Sequence, residues 1–126
     1  MGWKPDITVA AVVERDGRFL CVEERIKGRL VINQPAGHVE PGEDFIAAVI
    51  RETLEETAWQ LEPEALLGVY TWQAPGGGRS TLRFAFTGQV HGHDPGAARE
   101  RSLARPGVHS PTTLPSAESG RRRPAR

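Results

Sequence analysis

Short apolar runs separated by turn residues fill the N-terminal part of the chain and predict β-strands. The β-branched run Ile7–Glu14 predicts a largely buried strand, and the Asp16-Gly17 pair after it predicts a tight hairpin. Arg18–Ile26 is the predicted return strand, and Leu30–Gly37 predicts a further short strand that enters a loop. The chain therefore begins with strands rather than with a helix.

The apolar residues change to a helical period after the Pro41-Gly42 turn. Asp44 is a suitable N-cap, and from Phe45 to about Thr57 the apolar residues follow a period of about 3.6 positions. We expect one apolar stripe of this helix to face the core. The stripe consists of Ile46, Ile50 and Leu54, with Ala47 and Ala58 at its edge.

A second pair of strands is predicted after the helix. Gln60–Glu64 predicts a connector, while Ala65–Pro75 and Ser80–Val90 predict a hairpin across the glycine-rich turn Gly76–Gly78.

These patterns end after His93. Residues 94–126 contain five prolines, no aromatic residue and seven arginines against three acidic residues. Such a segment cannot bury enough apolar surface to offset the entropy of ordering it. We therefore expect a domain over residues 1–93 and a disordered tail over residues 94–126. The abrupt change also suggests a replaced C-terminal end, with a natural divergent tail as the alternative.

The composition is that of one ordinary domain. The chain has 126 residues, 38% of them hydrophobic, and a formal net charge of zero. Its one cysteine, Cys21, excludes an internal disulfide and fits a reducing compartment. The sequence shows neither a signal peptide nor an apolar run long enough to span a membrane, so we expect a cytoplasmic protein.

Three carboxylates crowd the second half of the predicted helix. Glu52, Glu55 and Glu56 share an arc of about 100°, opposite the apolar stripe. Arg51 can pair with Glu55 four residues later, but the remaining like charges repel. A divalent cation would relieve that repulsion, and oxygen ligands suit Mg²⁺ or Mn²⁺. The alternative is a solvated acidic helix face.

These residues stand in register with the Nudix box, G-x5-E-x7-R-E-U-x-E-E-x-G-U, where U is a bulky apolar residue. The matching residues are Gly37, Glu43, Arg51, Glu52, Glu55 and Glu56, with Trp59 in the last apolar position. Thr53 takes an apolar position, and Ala58 replaces the box glycine. If Ala58 is left-handed, it strains the end of the helix. The chain thus resembles the Nudix hydrolase family over about residues 4–93.

The resemblance implies an α/β fold, a Nudix-type α/β/α sandwich with a mixed sheet. Family members normally continue with a further strand and a C-terminal helix, and the composition after His93 indicates that both are missing or replaced here. Four segments look like the corresponding segments of NudJ-type phosphatases: Lys4–Glu24, Asn33–Glu43, Thr71–Pro75 and Leu82–Phe86. Those members dephosphorylate nucleoside tri- and diphosphates and a thiamine-pathway pyrimidine diphosphate with Mg²⁺.

The resemblance also implies roles for the box residues. Mg²⁺, or alternatively Mn²⁺, would be held by Glu52, Glu55, Glu56 and a backbone carbonyl at Ala36 or Gly37. The implied reaction is attack of metal-activated water on a phosphoanhydride, without a covalent enzyme intermediate. The expected catalytic residues are Glu52, Glu55 and Arg51, and Arg51 and Glu43 are expected to orient the others.

Outside the box, five residues are candidates for contact with a small phosphorylated substrate: Arg25, Asn33, Gln34, His38 and Trp72. Surface charge is the alternative for Arg25, and core packing is the alternative for Trp72. The alternative functions are hydrolysis of a nucleotide sugar or dinucleotide, or an inactive truncated remnant. Nucleic-acid binding through the basic segment Gly120–Arg126 does not account for the carboxylate helix. We expect no membrane partner, and the oligomeric state stays open with a monomer as one option.

Overall fold

The computed structural model describes residues 2–94 and the backbone of residues 105–109. Within them it contains eight strands and one helix: β1 (Asp6–Val12), β2 (Glu14–Arg15), β3 (Arg18–Ile26), β4 (Arg29–Asn33), β5 (Ala36–His38), α1 (Phe45–Thr57), β6 (Gln60–Gln73), β7 (Ser80–His91) and β8 (Arg105–His109). No helix of the described part is long and apolar enough to cross a membrane.

The strands form two sheets. The first has the order β5-β1-β7-β6 and is mixed, because β1 runs parallel to β7 while the other pairs are antiparallel. In the second, β3 pairs antiparallel with β2, β4 and β8. Helix α1 packs mainly against β6, β5 and β1. The predicted α/β class with a mixed sheet is confirmed.

Two tight turns fix the N-terminal hairpins. Asp16 and Gly17 have φ angles of 54° and 79°, and Lys27 and Gly28 have 52° and 78°. Two consecutive residues with positive φ are the conformation that a two-residue hairpin turn requires. The hairpin predicted at Asp16-Gly17 is therefore confirmed, and the strand predicted over Arg18–Ile26 has those bounds.

Helix α1 has the predicted bounds and N-cap but a different buried face. Asp44 Oδ1 accepts a hydrogen bond of 2.7 Å from the amide of Ala47. The buried helix residues are Ala48, Val49, Glu52, Thr53 and Thr57. Ile46, from the predicted core stripe, is 46% exposed, while Ile50 and Leu54 are only half-buried. The predicted orientation, with the carboxylates opposite the core, is therefore wrong for Glu52.

Small side chains explain this rotation of the helix. Ala48 and Val49 are fully buried in the core cluster that also contains Val9 and Phe86. Thr53 is fully buried as well, and its hydroxyl donates to the carbonyl of Val49 at 2.8 Å, so it leaves no unsatisfied polar atom. A face of small or internally satisfied residues lets the helix approach the sheet closely, which the count of large apolar residues does not reveal.

Strand β6 begins earlier than predicted. Gln60–Glu64, expected to be a connector, forms the start of β6. It pairs with the end of β7, where Pro63 lies opposite Gly88. The register shifts after Pro63, as is typical where a proline enters a strand at a bulge. A Cβ on Gly88 would overlap the carbonyl of Glu62, so only glycine permits this close approach.

Residues 105–109 lie in the C-terminal part of the chain, after the predicted domain. They form β8, which pairs with β3 so that Gly107 lies opposite Cys21. A strand thus lies within the segment that was expected to be a disordered tail, while the division of the chain at residue 93 stays a prediction. Strand pairing uses backbone groups, so an open strand edge can accept a segment of low β-propensity. The other residues of the predicted tail, 95–104 and 110–126, and the expected loss of the C-terminal helix lie outside the described residues.

Candidate active site

Strand β5 and helix α1 meet at Gly37 and Glu52. Glu52 is only 6% exposed, and its carboxylate lies where a side chain of residue 37 would be. A Cβ built on Gly37 would overlap the Glu52 carboxylate. Glycine at this position therefore permits a buried carboxylate to lie directly against the backbone of β5.

Arg51 joins the helix to the loop that precedes it. Its Nε and Nη2 donate to the two Glu43 carboxylate oxygens at 2.7 and 2.9 Å. Nη2 also donates to the carbonyl of His38 at 3.1 Å. Nη1 donates to Glu52 at 3.1 Å and to Glu55 at 3.3 Å. One guanidinium thus fixes the loop and partly neutralises two of the predicted metal ligands.

The same contacts keep the Arg51–Glu43 pair charged. Hydrogen bonds from Arg51 and from the backbone amide of Glu40 lower the pKa of Glu43 to about 2. The bond to Glu43 is also the main cause that raises the pKa of Arg51 above its ordinary value. Glu43 and Arg51 therefore form a charged, hydrogen-bonded pair, and the orienting role that the motif position implied for them stays a prediction.

Glu56 contacts β5 at the residue before Gly37 and lines an open cavity of about 270 Å³. Its Oε1 accepts a hydrogen bond of 3.1 Å from the amide of Ala36. The cavity is lined by Val22, Glu24, Asn33, Gln34, Ala36, Glu56 and Arg83. Two of the predicted substrate contacts, Asn33 and Gln34, therefore share a wall with a predicted metal ligand.

The other three predicted substrate contacts do not line this cavity. Arg25 is exposed at the β3–β4 turn, where its Nη1 donates to the carbonyl of Gly28 at 3.4 Å. The side chain of His38 is exposed, and Trp72 on β6 is 62% exposed. The substrate roles of these three residues stay predictions.

Arg83 and Glu24 line the cavity and were not among the residues predicted from the sequence. Burial lowers the pKa of Arg83, and the charge of Glu56 opposes that shift. Arg83 lies on β7 opposite Thr8 of β1, a pairing of residues distant in sequence. The available signal was an arginine within the otherwise apolar strand segment LRFAF.

The donor chemistry fits a hard divalent cation. Glu52, Glu55, Glu56 and the backbone carbonyls of β5 all offer oxygen, the ligand atom that Mg²⁺ prefers. Gly37, without a side chain, lets the Glu52 carboxylate lie against the backbone of β5. Among the described residues no three His, Cys, Asp or Glu side chains converge in a ready metal site. The carboxylates are instead held by groups such as Arg51 and the amide of Ala36.

A model of the NUDIX domain matches residues 4–123 of the chain. The chain belongs to the Nudix hydrolase family. This match extends beyond His93, whereas the resemblance read from the sequence covers about residues 4–93.

Curated relatives of this Nudix chain include the phosphatase NudJ of Escherichia coli K12. The two are 45% identical over 73 residues, which cover 58% of this chain and 48% of NudJ. The chain thus spans about half the length of the curated relatives it matches. The resemblance to NudJ-type phosphatases that the sequence indicated is confirmed over this part.

Solved structures agree with the fold. A NUDIX hydrolase from Nitrosomonas europaea is 42% identical, with a TM-score of 0.81 and coverage of 97% of this chain and 83% of that chain. A MutT NUDIX hydrolase from Burkholderia pseudomallei, 24% identical, has a TM-score of 0.69 and coverage of 85% and 84%. The second likeness concerns the fold alone.

Proposed function

We propose that this chain hydrolyses a phosphoanhydride bond of a small diphosphate or triphosphate, using Mg²⁺ and water. One observation carries the proposal. Helix α1 places Glu52 against Gly37 and Glu56 against Ala36, so that two carboxylates flank the backbone of one short strand beside an open polar cavity. A solvated acidic helix face, the alternative for these residues, does not require a 6% exposed carboxylate.

The residues would divide the work as follows. Glu52, Glu55, Glu56 and a carbonyl of β5 would hold the cation. Bound Mg²⁺ supplies charge neutralisation of phosphate oxygens and a lowered pKa of water. A box carboxylate accepts the proton of the attacking water, and Arg51 keeps Glu52 and Glu55 in position through its hydrogen bonds.

We propose nucleoside tri- and diphosphates, or a thiamine-pathway pyrimidine diphosphate, as the substrate class. The identity to a protein named phosphatase supports this choice. Polar side chains that could bind the non-phosphate part, Asn33, Gln34 and Glu24, line the cavity. A nucleotide sugar or a dinucleotide is the alternative within the same chemistry. A cytoplasmic location and a monomeric state stay predictions.

A substrate panel tests the proposal. Phosphate and nucleotide products are measured with Mg²⁺ and GTP, GDP, the pyrimidine diphosphate, a nucleotide sugar and a dinucleotide. We expect Glu56→Gln and Glu52→Gln to lose about a hundredfold or more of the activity, the typical contribution of positioned charge and proton transfer. Glu64→Gln, an exposed glutamate on β6, is the matched control and keeps it.

The outcomes separate the alternatives. Cleavage of only the nucleotide sugar or dinucleotide would replace our substrate class but keep the chemistry. Equal activity of wild type, Glu52→Gln and Glu56→Gln would contradict the site. No cleavage by a folded protein would favour the inactive remnant.

A further inference from the structure

Arg83 is a cation in an unusual position for a structural arginine. It lies on β7, between β1 and β6 in the first sheet, and it is half-buried. Its Nε donates to the hydroxyl of Thr8 at 3.2 Å. Within the described residues its two Nη groups make no hydrogen bond, and no carboxylate lies within 4.0 Å of the guanidinium.

A partly desolvated cation without a close ion-pair partner is costly to keep. Elsewhere in the described part, two arginines have bidentate carboxylate partners: Arg51 binds Glu43, and Arg79 binds Asp6. Arg83 instead is attracted by the charge of Glu56, which also lines the cavity, and donates a hydrogen bond to the neutral hydroxyl of Thr8. The remaining guanidinium donors therefore have capacity for an anionic ligand that is brought into the cavity.

Among the described residues that line the cavity, Arg83 is the only positively charged one. The cavity's other charged lining residues are Glu24 and Glu56. A diphosphate carries at least two negative charges at neutral pH, so these carboxylates would repel it. A guanidinium presents two parallel N–H donors that match two phosphate oxygens.

We propose that Arg83 binds a phosphate group of the substrate through its Nη atoms, from the cavity wall that β7 provides. This inference rests on the proposed function and assigns the diphosphate to the part of the cavity between Arg83 and Glu56. Because β7 is an interior strand, the sheet holds the backbone of Arg83 in place before substrate arrives. The role is to bind and position phosphate, so it is independent of the base.

Ligand binding tests the inference separately from hydrolysis. The probes are methylene-bridged analogues of GDP and CDP, which cannot be cleaved at the bridge, with Mg²⁺ present. Calorimetry is done on wild type, Arg83→Gln, Arg83→Lys and the control Arg18→Gln, an exposed arginine at the start of β3. We expect Arg83→Gln to weaken both analogues by about 10- to 100-fold, the usual cost of losing hydrogen bonds to a charged group.

Two further readouts distinguish phosphate binding from a structural role. Arg83→Lys keeps the charge but loses the fork, so it should recover part of the affinity. The loss should be equal for the guanosine and cytidine analogues, while thermal melting confirms that each variant is folded. A loss confined to one base, or affinity of Arg83→Gln equal to that of Arg18→Gln, would overturn the inference. So would a wild type that binds neither analogue.

The inference and the proposed function can fail independently. If hydrolysis needs Glu56 but the Arg83→Gln variant binds and cleaves the substrate normally, only the inference is overturned. Binding that depends on Arg83 in a folded wild type that cleaves nothing would uphold the inference and overturn the proposed reaction.

Discussion

Helix α1 is capped by Asp44, whose side chain accepts a hydrogen bond from the first turn, and its residue Glu52 contacts Gly37, fifteen positions earlier in the chain. Strand β8 has the sequence RPGVH, with a proline and a glycine among five residues, and its partner β3 lies far upstream. The helix is specified by caps, spacing and side-chain chemistry that lie close together in sequence. The strand is specified by an available backbone edge, for which its own residues give no signal.

The largest effect should follow from the local contact in the helix region. Gly37→Ala places a methyl group where the Glu52 carboxylate lies. The end of a glutamate can shift, so we expect activity to fall by about a hundredfold while the protein stays folded. Product release and thermal melting measure the two effects. Gly2→Ala is the control, because a Cβ there meets nothing within 4 Å. Full activity of Gly37→Ala would show that this close approach is dispensable.

The nonlocal strand is tested by its removal. Without residues 95–126, the backbone of Phe19–Glu23 loses its pairing with β8. We expect the amides of this segment to exchange with solvent about tenfold faster or more, because local opening needs less free energy at an unpaired edge. The amide of Phe84 in β7 is the internal reference. Unchanged exchange in β3 would contradict the pairing, and equal acceleration at both places would indicate general loss of stability instead.

The charge pair of the helix region predicts a dependence of stability on pH. The pKa of Glu43 is lowered from 4.5 to about 2 in the folded protein. Its stabilising contribution is therefore complete above pH 4.5, decreases as the pH falls below that value, and is gone below about pH 2. Denaturation of wild type and Glu43→Gln over this range should give a stability difference that disappears at the acid end. The exposed Glu64→Gln is the control. A difference that persists at pH 2 would assign the effect of Glu43 to something other than its charge.

The smallest expected effect lies at the end of α1. Ala58 has φ 66° and ψ 16°, the left-handed conformation that was expected to cause strain. Ala58→Gly should relieve about 1–2 kcal/mol of strain and lose about 0.8 kcal/mol of methyl burial, a net gain of about 0.2–1.2 kcal/mol. Ala47→Gly, in the right-handed helix, should cost about 1 kcal/mol instead. Chemical denaturation compares them, and a destabilised Ala58→Gly would show that the helix end is not strained.

The features that could be predicted from the sequence are those that depend on residues close together in the chain. The bounds of α1, its N-cap and the Asp16-Gly17 hairpin depend on neighbours in the chain, and they were predicted. The rotation of the helix was not, because the buried face uses small residues and Glu52 rather than large apolar ones. Arg83 was missed because its place in the cavity depends on the parallel pairing of β1 with β7.

The central claim is that the carboxylates of α1 act with a divalent cation on a phosphoanhydride. The most direct measurement is product release from GDP as Mg²⁺ is titrated, for wild type, Glu56→Gln and the exposed control Glu64→Gln. Our account predicts that wild type and Glu64→Gln require Mg²⁺ and saturate together, while Glu56→Gln is about a hundredfold slower at every Mg²⁺ concentration. Cleavage by wild type that is unaffected when Mg²⁺ is chelated, and equal in Glu56→Gln, would contradict it.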